Sequence, residues 1–160
     1  MKWFQFLFAF LLLSPCALSQ TKDDEKQVRS ILRKMHEAWD EHDYAYTKYD
    51  IFDDSAILIN PVGMVLKNKN EITGSLQFLG EARFKYLKII KDSVLSFRFL
   101  SPTVAFVVAE TSDVVTQDFS MPGGAPGGKE GEISRGIFSY SFTKRNGNWK
   151  IISMQVTHAN

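Results

Sequence analysis

Arg135-Gly-Ile-Phe-Ser-Tyr-Ser-Phe-Thr-Lys-Arg-Asn-Gly-Asn-Trp-Lys-Ile-Ile-Ser-Met-Gln-Val-Thr157 reads as two β-strands joined at Asn146-Gly147. Both central residues of a two-residue hairpin turn need positive φ, and Asn-Gly tolerates it best. The turn sets Arg145 opposite Asn148. Counting outward in strict alternation puts Phe142 opposite Ile151, Tyr140 opposite Ser153 and Phe138 opposite Gln155 on one face. The other face carries Thr143 with Lys150, Ser141 with Ile152, Ser139 with Met154 and Arg135 with His158. An aromatic face holding one amide suits the inner wall of a curved sheet around a small-molecule pocket. It suits plain core equally well.

Working outward, 160 residues with 44% apolar and 13% aromatic content fit one globular domain with a substantial core. The N-terminus differs. Lys2 gives a positive start, Trp3 to Leu13 is a mostly apolar run, and Ala17-Leu18-Ser19 offers small residues where a signal peptidase needs them. Residues 1–19 are therefore expected to be a signal peptide cleaved after Ser19, leaving residues 20–160 as a single secreted or periplasmic domain. The apolar run is short of the roughly 20 residues that span a bilayer. Lipid attachment at Cys16 is the less favoured route, because Pro15 stands where a small residue is required. Cleavage at Ser19 removes the only cysteine, and with it disulfides, thiolate metal ligands and a cysteine nucleophile. Without Lys2, eighteen basic residues face eighteen acidic ones, and no basic cluster stands out. Nucleic acid and anionic membrane surfaces are poor partners for such a chain.

Thr21 with Asp24 three residues on resembles a capping arrangement. Val28, Ile31, Leu32, Met35, Ala38 and Trp39 then recur at three- and four-residue spacing, which predicts a helix from Thr21 to about His42-Asp43. Tyr44 to Phe52 is expected to form a short second helix. Asp53-Asp54 opens a strand through Ile59, Pro61 closes it, and Val62 to Lys67 reads as a returning strand. Asn70 is placed to cap a helix that turns Ile72, Leu76 and Leu79 inward. Four strands follow, at Leu87–Leu100, Thr103–Val115, Ile133–Lys144 and Trp149–His158. Helices first and antiparallel strands after predict an α+β domain with helices on one face of the sheet. Between the second and third of these strands, Thr116 to Glu132 contains Pro122-Gly-Gly-Ala-Pro-Gly-Gly128 and is expected to be a mobile, irregular loop, with a lid role left open. It is not a phosphate-binding loop, because Lys129 is not followed by Ser or Thr.

Ala38-Trp39 through Asp43, Asp54-Ser-Ala-Ile-Leu-Ile-Asn-Pro61 with Gly63, Arg135-Gly-Ile137 and Lys144-Arg-Asn-Gly-Asn-Trp-Lys-Ile151 together resemble the nuclear transport factor 2-like superfamily, and within it the SgcJ/EcaC branch of SnoaL-like proteins. The resemblance covers nearly all of residues 24–158. It implies a cone-shaped, curved, mixed or antiparallel sheet wrapped around N-terminal helices, open at one end and dimeric through its outer face. It also implies a carboxylate near the end of the first strand in members that transfer protons. Asn60 holds that slot here, and an amide orients a carbonyl or water but accepts no proton at neutral pH. A histidine frequent in helix two of the closer branch corresponds to Leu76. No dinucleotide fingerprint, flavin motif or redox-active cysteine is present, so no cofactor is expected.

Two residues are candidate acid–base groups. Glu110 shares strand parity with Val104, Phe106 and Val108, which would carry its carboxylate into the pocket unless it pairs with Arg135 near the rim. His36 falls between stripe residues Leu32 and Trp39 and could point inward or be solvated. Trp39, Asn60, Phe138, Tyr140 and Gln155 are candidate pocket residues, with structural packing or hydrogen bonding as the rival role for Trp39, Tyr140 and Gln155. His42 and His158 have weaker claims, and three separated histidines without spaced carboxylates make no metal site. Three readings stay open: a module binding a small, mostly apolar molecule; a cofactor-free isomerase, dehydratase or hydrolase using Glu110 or His36; and a homodimeric assembly module with a filled cavity.

Overall fold

The structure, a computed structural model, describes residues 16–159, with side chains from residue 22 onward. Helix α1 spans Cys16–Asp40, followed by strand β1 (Phe52–Ile59), the short β2 (Val65–Leu66) and helix α2 (Lys69–Ala82). Four long strands come next: β3 (Leu87–Ser101), β4 (Val104–Val115), β5 (Ile133–Arg145) and β6 (Asn148–His158). They form one sheet in the order β2-β1-β6-β5-β4-β3. β1 runs parallel to β6 and every other pair is antiparallel. The sheet curls around the helices without closing, so the expected α+β architecture holds with β2 and β3 as free edges.

The terminal hairpin turns where the sequence says it should. Asn146 and Gly147 take φ of 51° and 80°, and Arg145 faces Asn148. Beyond Phe142 and Ile151, however, Ile152 is an extra residue: Ser141 pairs with Ser153, Tyr140 with Met154, Ser139 with Gln155 and Phe138 with Val156. A single-residue bulge reverses the facing of everything after it. Met154 and Val156 therefore share the inner face with Tyr140 and Phe138, and Gln155 lies exposed on the outside beside Ser139.

Strand β3 carries three such bulges, at Ile90, Leu95 and Leu100. Each bulged residue is pushed outward, 51%, 53% and 66% exposed respectively. The inward set changes phase each time, from Leu87 and Ile89 to Asp92 and Val94, then to Phe97 and Phe99. Bulges strengthen local twist, and the repeated kinks bend this edge over the helices. In the first half of β4 the buried residues are the small ones, Ala105, Val107 and Ala109, while Phe106 and Val108 stay half-exposed on the outer face.

The α1 stripe packs as predicted, with Val28, Ile31, Met35 and Ala38 buried in a core that includes Phe52, Leu58, Phe142 and Ile151. Burying a large apolar side chain stabilises by about 1.5–3 kcal/mol, so these positions hold the layers together. At the N-terminal part of α1, Asp24 is buried. It accepts hydrogen bonds from Lys144 Nζ at 2.6 Å and Trp149 Nε1 at 2.9 Å, which tie the helix to the β5–β6 hairpin instead of capping it.

Four expectations are corrected. Helix α1 is already helical from Cys16, the first described residue, and does not wait for Thr21, since Cys16-Ala-Leu-Ser-Gln20 contains no glycine or proline to interrupt it; the leader expected over residues 1–19 falls mostly outside the described residues. Tyr44 to Ile51 is a knot of turns, held by Asp43 accepting from the Thr47 and Lys48 amides and by Tyr46 at φ 54°. The cap of α2 is Asn68, whose side chain accepts from the Glu71 amide while Glu71 accepts from the Lys67 amide. The loop after β4 is ordered by paired backbone hydrogen bonds between Phe119 and Gly128, by Lys129 on Asp118, and by stacking of Phe119 on Tyr86 at 5.1 Å. A Cβ on Gly127 would collide with the Phe119 carbonyl, so only glycine permits that crossing.

Candidate ligand pocket

The curled sheet, α1, α2 and the loop after β4 enclose a cavity of about 590 Å³. Its walls are mostly apolar. Trp39 and Phe84 form one side, with rings 4.7 Å apart, and Phe138 stacks on Tyr140 at 6.0 Å and 8° on the other. Met121, Ala125 and Pro126 of the ordered loop complete the lining. Small residues on the sheet side, Ala109 and Gly136, leave the hollow its depth, because larger side chains would fill it.

The predicted residues fall on both sides of this wall. Trp39, Phe138 and Tyr140 line the cavity. Asn60 lines it too, but its Oδ1 accepts from the Val62 and Met64 amides at 3.1 and 2.8 Å and so closes the β1–β2 turn; its NH2 group is what remains for a ligand. His36 lines the cavity between two carboxylates, with Nδ1 3.5 Å from Asp92 Oδ2 and Nε2 3.6 Å from Asp40 Oδ2. Gln155 does not reach the cavity, for the reason given by the Ile152 bulge.

Glu110 is also outside. Ala109, Thr111 and Asp113 are the inward residues of β4, and Glu110 faces the opposite way. Its carboxylate accepts from Arg135 Nε at 3.0 Å and from Lys91 Nζ at 2.9 Å, and these two hydrogen bonds hold its pKa down to about 2. A carboxylate so paired is a poor base.

Several cavity residues were not singled out from the sequence. Asp92 enters through the Ile90 bulge. Asp113 shares parity with Ala109 and accepts from Ser134 Oγ at 2.5 Å; burial pushes its pKa up against that hydrogen bond. Tyr46 and Tyr140 are buried phenols, and burial raises both; Tyr140 also feels Tyr46 and Asp92 nearby. Both therefore stay protonated at neutral pH. Among the described residues, Trp39 Nε1 and Arg83 Nε are buried without a hydrogen-bond partner. Among the described residues no three His, Cys, Asp or Glu side chains gather as metal ligands would.

No protein-family model matches the chain, and no curated protein matches it. Solved structures do. An uncharacterized cystatin-like-fold protein from Caulobacter vibrioides has a TM-score of 0.68 at 17% identity, over 85% of this chain and 89% of that one. A putative scytalone dehydratase from Novosphingobium aromaticivorans has a TM-score of 0.68 at 12% identity, over 89% of both chains. The structure of LinA gives 0.70 at 12% identity, over 89% of this chain and 90% of that one. The chain thus has the cystatin-like fold that the resemblance implied.

Proposed function

We propose that the protein binds a small, mostly apolar molecule in this cavity. One observation carries the reading: a 590 Å³ hollow has mostly apolar walls broken by a few polar side chains, among them Asn60, Arg83 and Tyr140, which is the make-up of a small-molecule site. Native mass spectrometry of protein purified from its own source tests this. A noncovalent adduct is expected on the wild type and not on an Ala109→Phe variant with its hollow filled; an unliganded mass for both counts against binding.

The His36–Asp92 pair supports a second reading, cofactor-free acid–base catalysis. A carboxylate lies near Nδ1, and the imidazole lines the cavity where a substrate would sit. A putative scytalone dehydratase and hexachlorocyclohexane dehydrochlorinases share the fold, which makes elimination the natural form of such a reaction. The test is hydrogen–deuterium exchange at the methyl of 2-acetonaphthone, followed by NMR. Exchange faster than buffer that is lost in His36→Asn supports catalysis, and exchange at the buffer rate rejects it.

We further propose export through the N-terminal leader, membership of the SnoaL-like SgcJ/EcaC branch, and a homodimer formed through the outer sheet face. Support for the dimer comes from half-exposed Phe106 and Val108 flanked by the small side chains Ser139, Ser141 and Ser153. Sedimentation equilibrium that returns a monomer would refute it.

A further inference from the structure

A second polar pole lies apart from His36 and Asp92. Arg83 follows the C-terminus of α2, Asp113 sits late in β4, and Ser134 opposes it on β5; all three line the cavity. Among the described residues Arg83 is the only lysine or arginine in the lining, its guanidinium donates no hydrogen bond, and it forms no ion pair. The negative end of α2 offsets part of its charge and leaves its donors free. Asp113 is near enough to feel Arg83 electrostatically, yet the two are not hydrogen-bonded. Ser134 occupies Asp113 Oδ1, and Oδ2 has no hydrogen-bond partner among the described residues.

A donor without an acceptor and an acceptor with an unused oxygen thus face one cavity without satisfying each other. A carboxylate ligand would meet the charge of Asp113, and an ammonium would meet that of Arg83. A neutral group with an acceptor and a donor on adjacent atoms satisfies both. We propose that Arg83 and Asp113 form a subsite for a carboxamide or lactam, whose carbonyl accepts from the terminal guanidinium N–H groups of Arg83 while its N–H donates to Asp113. The apolar body of the ligand then lies against Phe138, Met154 and Val156. This rests on the pocket-binding reading and gives it a ligand class.

Calorimetric titration with 2-naphthamide, 2-acetonaphthone and 2-naphthoate tests the subsite. The amide is expected to bind about tenfold tighter than the ketone of the same shape, which lacks the N–H. In Asp113→Ala that preference disappears, ketone affinity changes less than about threefold, and naphthoate gains affinity because a like charge is gone. A gain for the anion is not what simple loosening of the fold would give. Equal amide and ketone affinity in the wild type overturns the subsite alone, and this comparison needs no variant. An amide preference that survives Asp113→Ala also overturns it. Failure of both neutral probes to bind would remove the pocket reading together with the subsite.

Discussion

His36 Nδ1 lies 3.5 Å from Asp92 Oδ2, close to an inserted residue in β3. Ile89 pairs with Asp113 and Lys91 with Ser112, so Ile90 is the extra residue, and after it Lys91 points outward and Asp92 inward. Deleting Ile90 removes only that extra residue, so Lys91 stays outward, Asp92 stays inward, and what is lost is the bend of this edge. A loss of about 1–3 kcal/mol in chemical denaturation is expected. Unchanged stability would show that the bulge does not shape the edge.

Glu110 gives a pH signature on the opposite face. Its folded pKa of about 2 is below the ordinary 4.5, so its contribution to stability is complete above 4.5 and is lost as pH falls from there toward 2. Glu110→Gln should flatten that limb of the stability–pH curve and leave ligand affinity intact. A drop in affinity would put Glu110 back in the pocket.

Asp24 holds α1 to the hairpin. Burial works to raise its pKa, but the hydrogen bonds from Lys144 and Trp149 outweigh it and leave the carboxyl below its usual range. Removing one member of a buried pair leaves the other uncompensated. Asp24→Ala is therefore expected to cost about 3–5 kcal/mol in urea denaturation. A cost under 1 kcal/mol would mean Lys144 finds water instead.

The loop crossing predicts that Gly127→Ala breaks the Phe119–Gly128 bridge, because the new Cβ and the Phe119 carbonyl cannot share space. Amide exchange at Phe119 and Gly128 should accelerate by about tenfold or more while β5 and β6 stay protected. Unaltered exchange would show that the bridge does not hold the loop.

Much of the fold was legible because turn chemistry and periodicity are local. Asn146-Gly147, the α1 stripe and the strand spans follow from residues close in the chain. Facing within strands was less so. On β6, Trp149 and Ile151 set one apolar phase while Met154 and Val156 set the other, and two phases on one strand are what a bulge looks like in sequence. Strict alternation from the turn therefore sent Gln155 inward. On β4 both parities are apolar, and size misled: the curved inner face takes Ala105, Val107 and Ala109, which put Glu110 outside and Asp113 inside. His36, Trp39, Asn60, Phe138 and Tyr140 all reach the cavity wall, since helix spacing and the turn place them without a bulge intervening. Asp92 and Arg83 needed tertiary information, because a bulge and a helix end set their direction.

Trp39 is the tryptophan in the cavity lining, whereas Trp149 is buried on Asp24, so Trp39 emission reports directly on whether the hollow takes a ligand. Titration with 2-acetonaphthone should give saturable, one-to-one quenching in the wild type that is lost in Trp39→Phe. Quenching that never saturates, or saturable quenching that persists without Trp39, would contradict a ligand seated in this cavity.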